Sequence, residues 1–193
     1  VYKILLPKLK DKIVLDLGCG TGKFMQKFYG ETTKYYGLDL SNEQLSIARR
    51  KLNSNSVEFM CCSAENIPLL DNSIDIIIST WVLGTILEVD RRNKVFEEMK
   101  RVLKKGGNIY VVENDIGGEF EEIRNRYPDI RRTKEYNDWI ENHGFICENR
   151  FETYFKFKDN EQAKKVFTNI WGEEIGNKVN KDIIKQNVII YKY

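Results

Sequence analysis

The sequence predicts an α/β fold: a mostly parallel sheet with helices on both faces. Two observations carry this. Short runs rich in Ile and Val alternate along the chain with amphipathic stretches, the pattern of βαβ units. And the first such run, "KIVLDL", passes directly into a turn holding Gly18, Gly20 and Gly22, as a strand does when it turns into a helix.

The elements follow in order. "KIVLDL" reads as a buried strand and "GKFMQKFY" as a helix; "YYGLDL" is the second strand. Ser41 caps the next helix, with Gln44 three residues on in capping-box position. "VEFMCC" and "SIDIIIST" are the third and fourth strands. "DRRNKVFEEMKRVLKK" reads as a helix with Val95, Phe96, Met99, Val102 and Leu103 on one face, ended by Gly106 and Gly107. "NIYVVEN" is the fifth strand. Beyond it, "GGEFEEIRNRY" and "TKEYNDWIENHGF" read as helices, "FICENRFETYFKF" as a long strand, "DNEQAKKVFTNIWG" as a helix and "NVIIYKY" as a final strand. No linker, repeat or low-complexity segment interrupts residues 1–193, so one domain is expected.

Composition narrows the function classes. With 31 basic and 29 acidic residues the net charge is +2, which gives no reason to expect nucleic acid or an anionic membrane as main partner. No apolar run is long enough to span a bilayer. No secretory signal is visible, although residue 1 is Val rather than Met. Cys19, Cys61, Cys62 and Cys147 form no CxxC pair; they read as reduced thiols of a cytoplasmic protein rather than a disulfide framework or a metal site. His143 is the sole histidine, which disfavours His-rich metal sites and a Ser-His-Asp triad. It sits at a predicted helix end, where a favourable dipole contact is the simpler role. The oligomeric state is left open.

In such sheets ligands bind beyond the carboxyl ends of the strands. Five consecutive predicted strand ends carry unusual residues: the glycine loop, Asp39, "CSAEN", "STW" and "END". A P-loop fails at the loop, because Lys23 is followed by Phe24 and the glycine spacing is one short. A dinucleotide fingerprint would put glycine where Lys23 stands. S-adenosylmethionine asks for different residues. Its cationic sulfonium and ammonium favour a nearby carboxylate, and Asp16 ends the first strand. Its ribose favours a carboxylate at the end of the second, where Asp39 lies 17 residues after Gly22. Leu40 and the "SAEN" turn offer an apolar slot with polar edges for adenine.

"VLDLGCGTG", "GLDLS", "AENIPLLDNSIDIIIST" and "RVLKKGG" together resemble the successive motifs of class I S-adenosylmethionine-dependent methyltransferases, most closely the small-molecule branch of ubiquinone/menaquinone-biosynthesis type. The resemblance covers roughly residues 11 to 115. It implies a Rossmann-like, doubly wound, seven-stranded sheet with an antiparallel last strand, and S-adenosylmethionine as cofactor. It also implies that Gly18, Cys19 and Gly20 line the methionine part and that Asp16 orients the ammonium. Asp39 would hold the ribose hydroxyls and Leu40 the adenine face. Ala64 and Glu65 would bound the adenine edge, and Thr80 and Trp81 would face the cofactor from the fourth strand. Two departures stand out. Ser63 occupies a place where relatives often have an Asp bonding the adenine amino group. "WVLGTI" stands where many have "LHH", which removes a candidate base, and no catalytic residue is assigned.

The expected reaction is in-line methyl transfer to a small-molecule acceptor. Trp81, Asn114, Asp115, Phe120 and Trp171 are candidate acceptor contacts. Segments 115–132 (with Phe120 and Tyr127) and 159–176 (with Phe167 and Trp171) are expected to cover a partly apolar acceptor pocket. The alternatives are an RNA or protein methyltransferase, or a non-catalytic cofactor-binding protein. "STWV" in place of an NPPY-type motif argues against adenine or glutamine amide methylation, and the intact glycine loop with Asp39 against the last.

Overall fold

A computed structural model describes residues 1–125 and 131–193; Tyr127, expected in the first covering segment, lies outside these. The described elements, in chain order, are α1 (Tyr2–Leu9), β1 (Ile13–Leu17), α2 (Met25–Phe28), β2 (Lys34–Asp39), α3 (Asn42–Lys51), β3 (Val57–Cys61), β4 (Ile74–Thr80), α4 (Val89–Val102), β5 (Leu103–Asn114), α5 (Glu119–Ile123), α6 (Arg131–Asn142), β6 (Ile146–Lys156), α7 (Asn160–Trp171), α8 (Glu173–Gly176) and β7 (Ile183–Lys192). One seven-stranded sheet has the order β3-β2-β1-β4-β5-β7-β6. The β1–β2, β1–β4, β2–β3 and β4–β5 pairs are parallel, which puts the reversal of strand order at β1 and β4. At the end of the chain Ile109 and Tyr193 exchange both N–H···O bonds, at 3.1 and 2.9 Å, the signature of an antiparallel pair. The fold class expected from the sequence is therefore the one observed.

By compactness the chain divides into two units, Val1–Val112 with Lys192–Tyr193, and Glu113–Tyr191. In the first, the Ile/Val runs are buried on both faces. Val14, Leu15, Leu17, Ile77, Ile78, Val111 and Val112 are fully buried, and α4 buries Val95, Phe96, Met99 and Val102 along one face. Ser41 Oγ accepts the Gln44 N–H at 3.2 Å, as the capping pattern predicts. Its own N–H, however, goes to Asp39 rather than to the Gln44 side chain. In the second unit, Phe120, Ala163, Phe167, Ile175, Val179 and Ile184 form a core flanked by Phe155, Phe157 and Trp171. The Arg124 guanidinium lies 4.7 Å from the Phe120 ring centre and 5.1 Å from that of Trp171.

Three details depart from the sequence reading. The helix α1, with Leu5 and Leu9 buried, precedes the first predicted element. The helix α2 is a single turn continued by a 3-10 turn at Tyr29–Glu31. And α4 stops at Val102, three residues before Lys105, because the N–H groups of Asn72 and Ser73 take the Arg101 and Val102 carbonyls and release the chain into β5.

Candidate functional site

The site is built where β1, β2 and β3 end. The loop after β1 is fastened to β2: the N–H groups of Gly18 and Cys19 both donate to the Leu38 carbonyl, at 2.7 and 3.0 Å. Gly18, Gly20 and Gly22 all have positive φ, between 53° and 76°. This is the left-handed region that glycine enters without a steric penalty. A Cβ at Gly18 would collide with the Val82 side chain. Gly18→Ala is therefore expected to cost about 2 kcal/mol or more, roughly 4–8 °C in Tm. A melting curve overlying the wild type would show that this turn is not constrained as described.

Asp39 closes the loop. Its Oδ2 accepts the Gly20 N–H at 2.8 Å and its Oδ1 the Ser41 N–H at 2.9 Å. A carboxylate has about four acceptor positions, so the half-buried group keeps capacity for two more donors. The Asp39 carbonyl accepts the Cys62 N–H at 3.2 Å, which ties in the end of β3. Beside it Leu40 is 69% exposed, an apolar face presented to solvent at a strand end.

Asp16, near the end of β1, is 1% exposed. Tyr35, itself fully buried, donates its hydroxyl to Asp16 Oδ2 at 3.3 Å. The other oxygen, Oδ1, is buried with no hydrogen-bond partner among the described residues. Burial raises the Asp16 pKa to about 7, against the Tyr35 hydrogen bond, which lowers it, and with a further push from Asp39. A buried carboxylate with one unsatisfied oxygen is costly by itself. It fits a site completed by a cation. Cys19 is buried, and its thiol is driven well above the ordinary range by burial and by the charges of Asp16 and Asp39.

The remaining predicted residues fall as follows. Ser63 Oγ accepts the Glu65 N–H at 3.2 Å, and Glu65 is ion-paired to Arg91 at 2.8 Å, with Ala64 half-buried between them. Thr80 ends β4. Trp81 follows with φ of +55° and its N–H held by the Val112 carbonyl at 2.8 Å; its ring centre is 6.3 Å from that of Phe24. A bulky residue in the left-handed region is strained, and such strain gathers at functional sites. In the second unit, Asn114 ends β5 and the Asp115 carboxylate pairs with Arg150 at 3.0 Å. Phe120 and Trp171 meet edge to face at 5.5 Å, Phe120 within the core and Trp171 at its margin. Sequence reasoning missed Tyr35, which looks like any aromatic strand residue, and Ser79, whose buried hydroxyl on β4 also has no partner among the described residues.

The residues fit S-adenosylmethionine. The orphaned Asp16 oxygen suits a positive group, the spare acceptor positions of Asp39 suit a diol, and exposed Leu40 suits a flat ring. A parallel sheet with this strand order, carrying a glycine loop, a buried Asp on β1 and a loop-anchoring Asp on β2, defines the class I S-adenosylmethionine-dependent methyltransferases. The methyltransferase domain family matches residues 15–111, and the chain belongs to it. Over 117 residues the chain is 32% identical to the methyltransferase GfsG of Streptomyces halstedii, a match covering 57% of this chain and 40% of that protein. Over 111 residues it is 33% identical to the ubiquinone/menaquinone biosynthesis C-methyltransferase UbiE of Haemophilus ducreyi, covering 54% of this chain and 42% of that protein. The chain thus spans less than half the length of these curated relatives. The crystal structure of YcgJ from Bacillus subtilis superposes with a TM-score of 0.67 at 18% identity, covering 98% of this chain and 95% of that one. Among the described residues, no helix is long and apolar enough to cross a membrane.

Proposed function

We propose that this chain transfers a methyl group from S-adenosylmethionine to a small-molecule acceptor by in-line displacement. The observation that carries the reading is the pair of carboxylates around the glycine loop: Asp39, locked to Gly20 and Ser41, and Asp16, with a buried oxygen left unsatisfied. When bound, the cofactor supplies a methyl group already activated on a cationic sulfur. The chain's own task is to bind and orient. Asp16 neutralises the positive amino-acid end, with Tyr35 fixing the rotamer of its carboxylate. Asp39 takes the ribose hydroxyls. Leu40, Ser63, Ala64 and Glu65 bound the adenine, and Gly18, Cys19 and Gly20 allow close approach of the methionine part. Thr80 and Trp81 face the methyl side, and Trp81 contributes to acceptor selection. Holding two reactants in line accounts for a large share of rate in such a displacement. The small-molecule acceptor is supported by the quinone-biosynthesis relative and by the near-neutral charge of the chain.

S-adenosylhomocysteine at about 100 times its Kd is expected to stabilise the fold by about 2.7 kcal/mol, roughly 5–10 °C in Tm. NAD and ATP are expected to give no shift. A shift with NAD alone would overturn the cofactor assignment. With methyl-labelled cofactor, label should enter hydroxylated aromatic small molecules; label found in tRNA or protein instead would overturn the acceptor class.

A further inference from the structure

The glycine loop uses the carboxyl ends of the strands. At the amino ends of β1 and β4 the first unit has a second concavity, a cleft of about 170 Å³. Its walls include Lys8, Lys12, Lys104, Lys105, Asp75 and Tyr110. The cleft owes its shape to an irregularity in the sheet. Between Ile74 and Ile76 of β4, the partner positions on β5 jump from Leu103 to Asn108, so residues 104–107 leave the ladder. Bulges of this kind recur beside functional sites and re-aim side chains. Here the bulge delivers two lysines and two glycines. Gly106 has φ of +78° and open space where a Cβ would stand, whereas a Cβ at Gly107 would press on the Asp75 carbonyl at 2.8 Å.

The charge count is unusual for this chain. Lys8, Lys12, Lys104 and Lys105 line this one cleft together with the single carboxylate of Asp75, in a chain whose net charge is only +2. Asp75 is already engaged: Oδ1 accepts from Lys104 Nζ at 2.8 Å and Oδ2 from the Ile13 N–H at 2.8 Å. The Lys8 ammonium is placed over the Tyr110 ring, 5.3 Å from its centre. Like charges gathered at a small cleft repel one another, and a bound polyanion relieves that repulsion. Lysine is a point-charge binder of phosphate, and a glycine bulge lets an oxyanion come close to backbone N–H groups.

We propose that this cleft is a binding site for a small, multiply charged oxyanion of the phosphate or diphosphate class, separate from the methyl-transfer site. A cleft of this volume suits a compact anion better than a nucleic acid strand, which would call for an extended basic stripe.

Inorganic pyrophosphate is the probe. Calorimetric titration into the whole chain at low salt should show saturable binding that weakens as NaCl is raised, since the attraction is screened. Lys12 and Lys105 are both exposed, so Lys12→Ala/Lys105→Ala should melt like the wild type while losing at least tenfold in pyrophosphate affinity. Lys12→Glu/Lys105→Glu should abolish binding. S-adenosylhomocysteine affinity should be unchanged in both, and because pyrophosphate binding is read directly, the result stands whatever the methyl acceptor is. Absence of saturable binding, or equal affinity in wild type and both variants, overturns the proposal. So does a short single-stranded RNA that binds more tightly than pyrophosphate and is lost in the same variants.

Discussion

Asp39→Ala is expected to lower S-adenosylhomocysteine affinity by one to two decades. On the proposed function the variant loses two ribose hydrogen bonds to a charged acceptor, and bonds of that kind are worth about 1.5–3 kcal/mol. The structure moves the expectation to the upper end, because the same carboxylate holds the Gly20 and Ser41 N–H groups. Removing it frees the loop as well as the ligand. Asp39→Asn separates the two contributions. It keeps an acceptor oxygen for one N–H but loses the charge, and its affinity should fall between wild type and alanine. Calorimetry reads both variants. An alanine variant with wild-type affinity would place the ribose elsewhere.

Asp16→Asn is expected to do two opposite things. Its carboxyl has an ordinary pKa of 3.8 in the unfolded chain and about 7 when folded. The folded protein therefore holds the proton more tightly. That stability is fully present below about pH 4 and is lost as pH rises through 7, by as much as about 4 kcal/mol. The ligand-free wild type should melt progressively lower from pH 5 to pH 8, while Asp16→Asn, with nothing to ionise there, should lose most of that slope and melt higher than wild type at pH 8. Cofactor binding should change the other way. A cationic ligand favours the ionised carboxylate, so wild-type affinity should rise from pH 6 to pH 8, and the asparagine variant should bind weakly at both. Parallel melting profiles for the two proteins would remove Asp16 as the origin of the pH dependence.

Much of the first unit was legible because its signals are local. The run "SIDIIIST" becomes β4, Ser41 caps α3, and the three glycines form the turn that follows the first strand, as expected. What escaped depends on partners distant in sequence. The end of α4 is set by Asn72 and Ser73, about 30 residues upstream, and no feature of "RVLKK" announces it. The Asp16–Tyr35 hydrogen bond spans 19 residues; sequence gives the acid at a strand end but not the hydroxyl that aims it. Asp39 stood out in the sequence as the carboxylate at the end of the second strand, while its grip on the Gly20 N–H became visible only once β1 and β2 were paired. The helix α1 was hidden by Pro7, which ordinarily breaks a helical pattern and here sits inside it.

Cys19 has a consequence of a different kind. A pocket that holds an alkylating agent must not be alkylated by it, and a thiolate is among the best acceptors for a methyl group on sulfur. Cys19 belongs to the glycine loop itself, the worst place for such a competitor. Its burial and the two neighbouring carboxylates keep the sulfur protonated, so that it packs as a small apolar side chain and has almost no nucleophilic form. The two acidic residues proposed to hold the cofactor thereby also guard the loop against self-methylation, and mass spectrometry after prolonged incubation with S-adenosylmethionine should find Cys19 unmethylated.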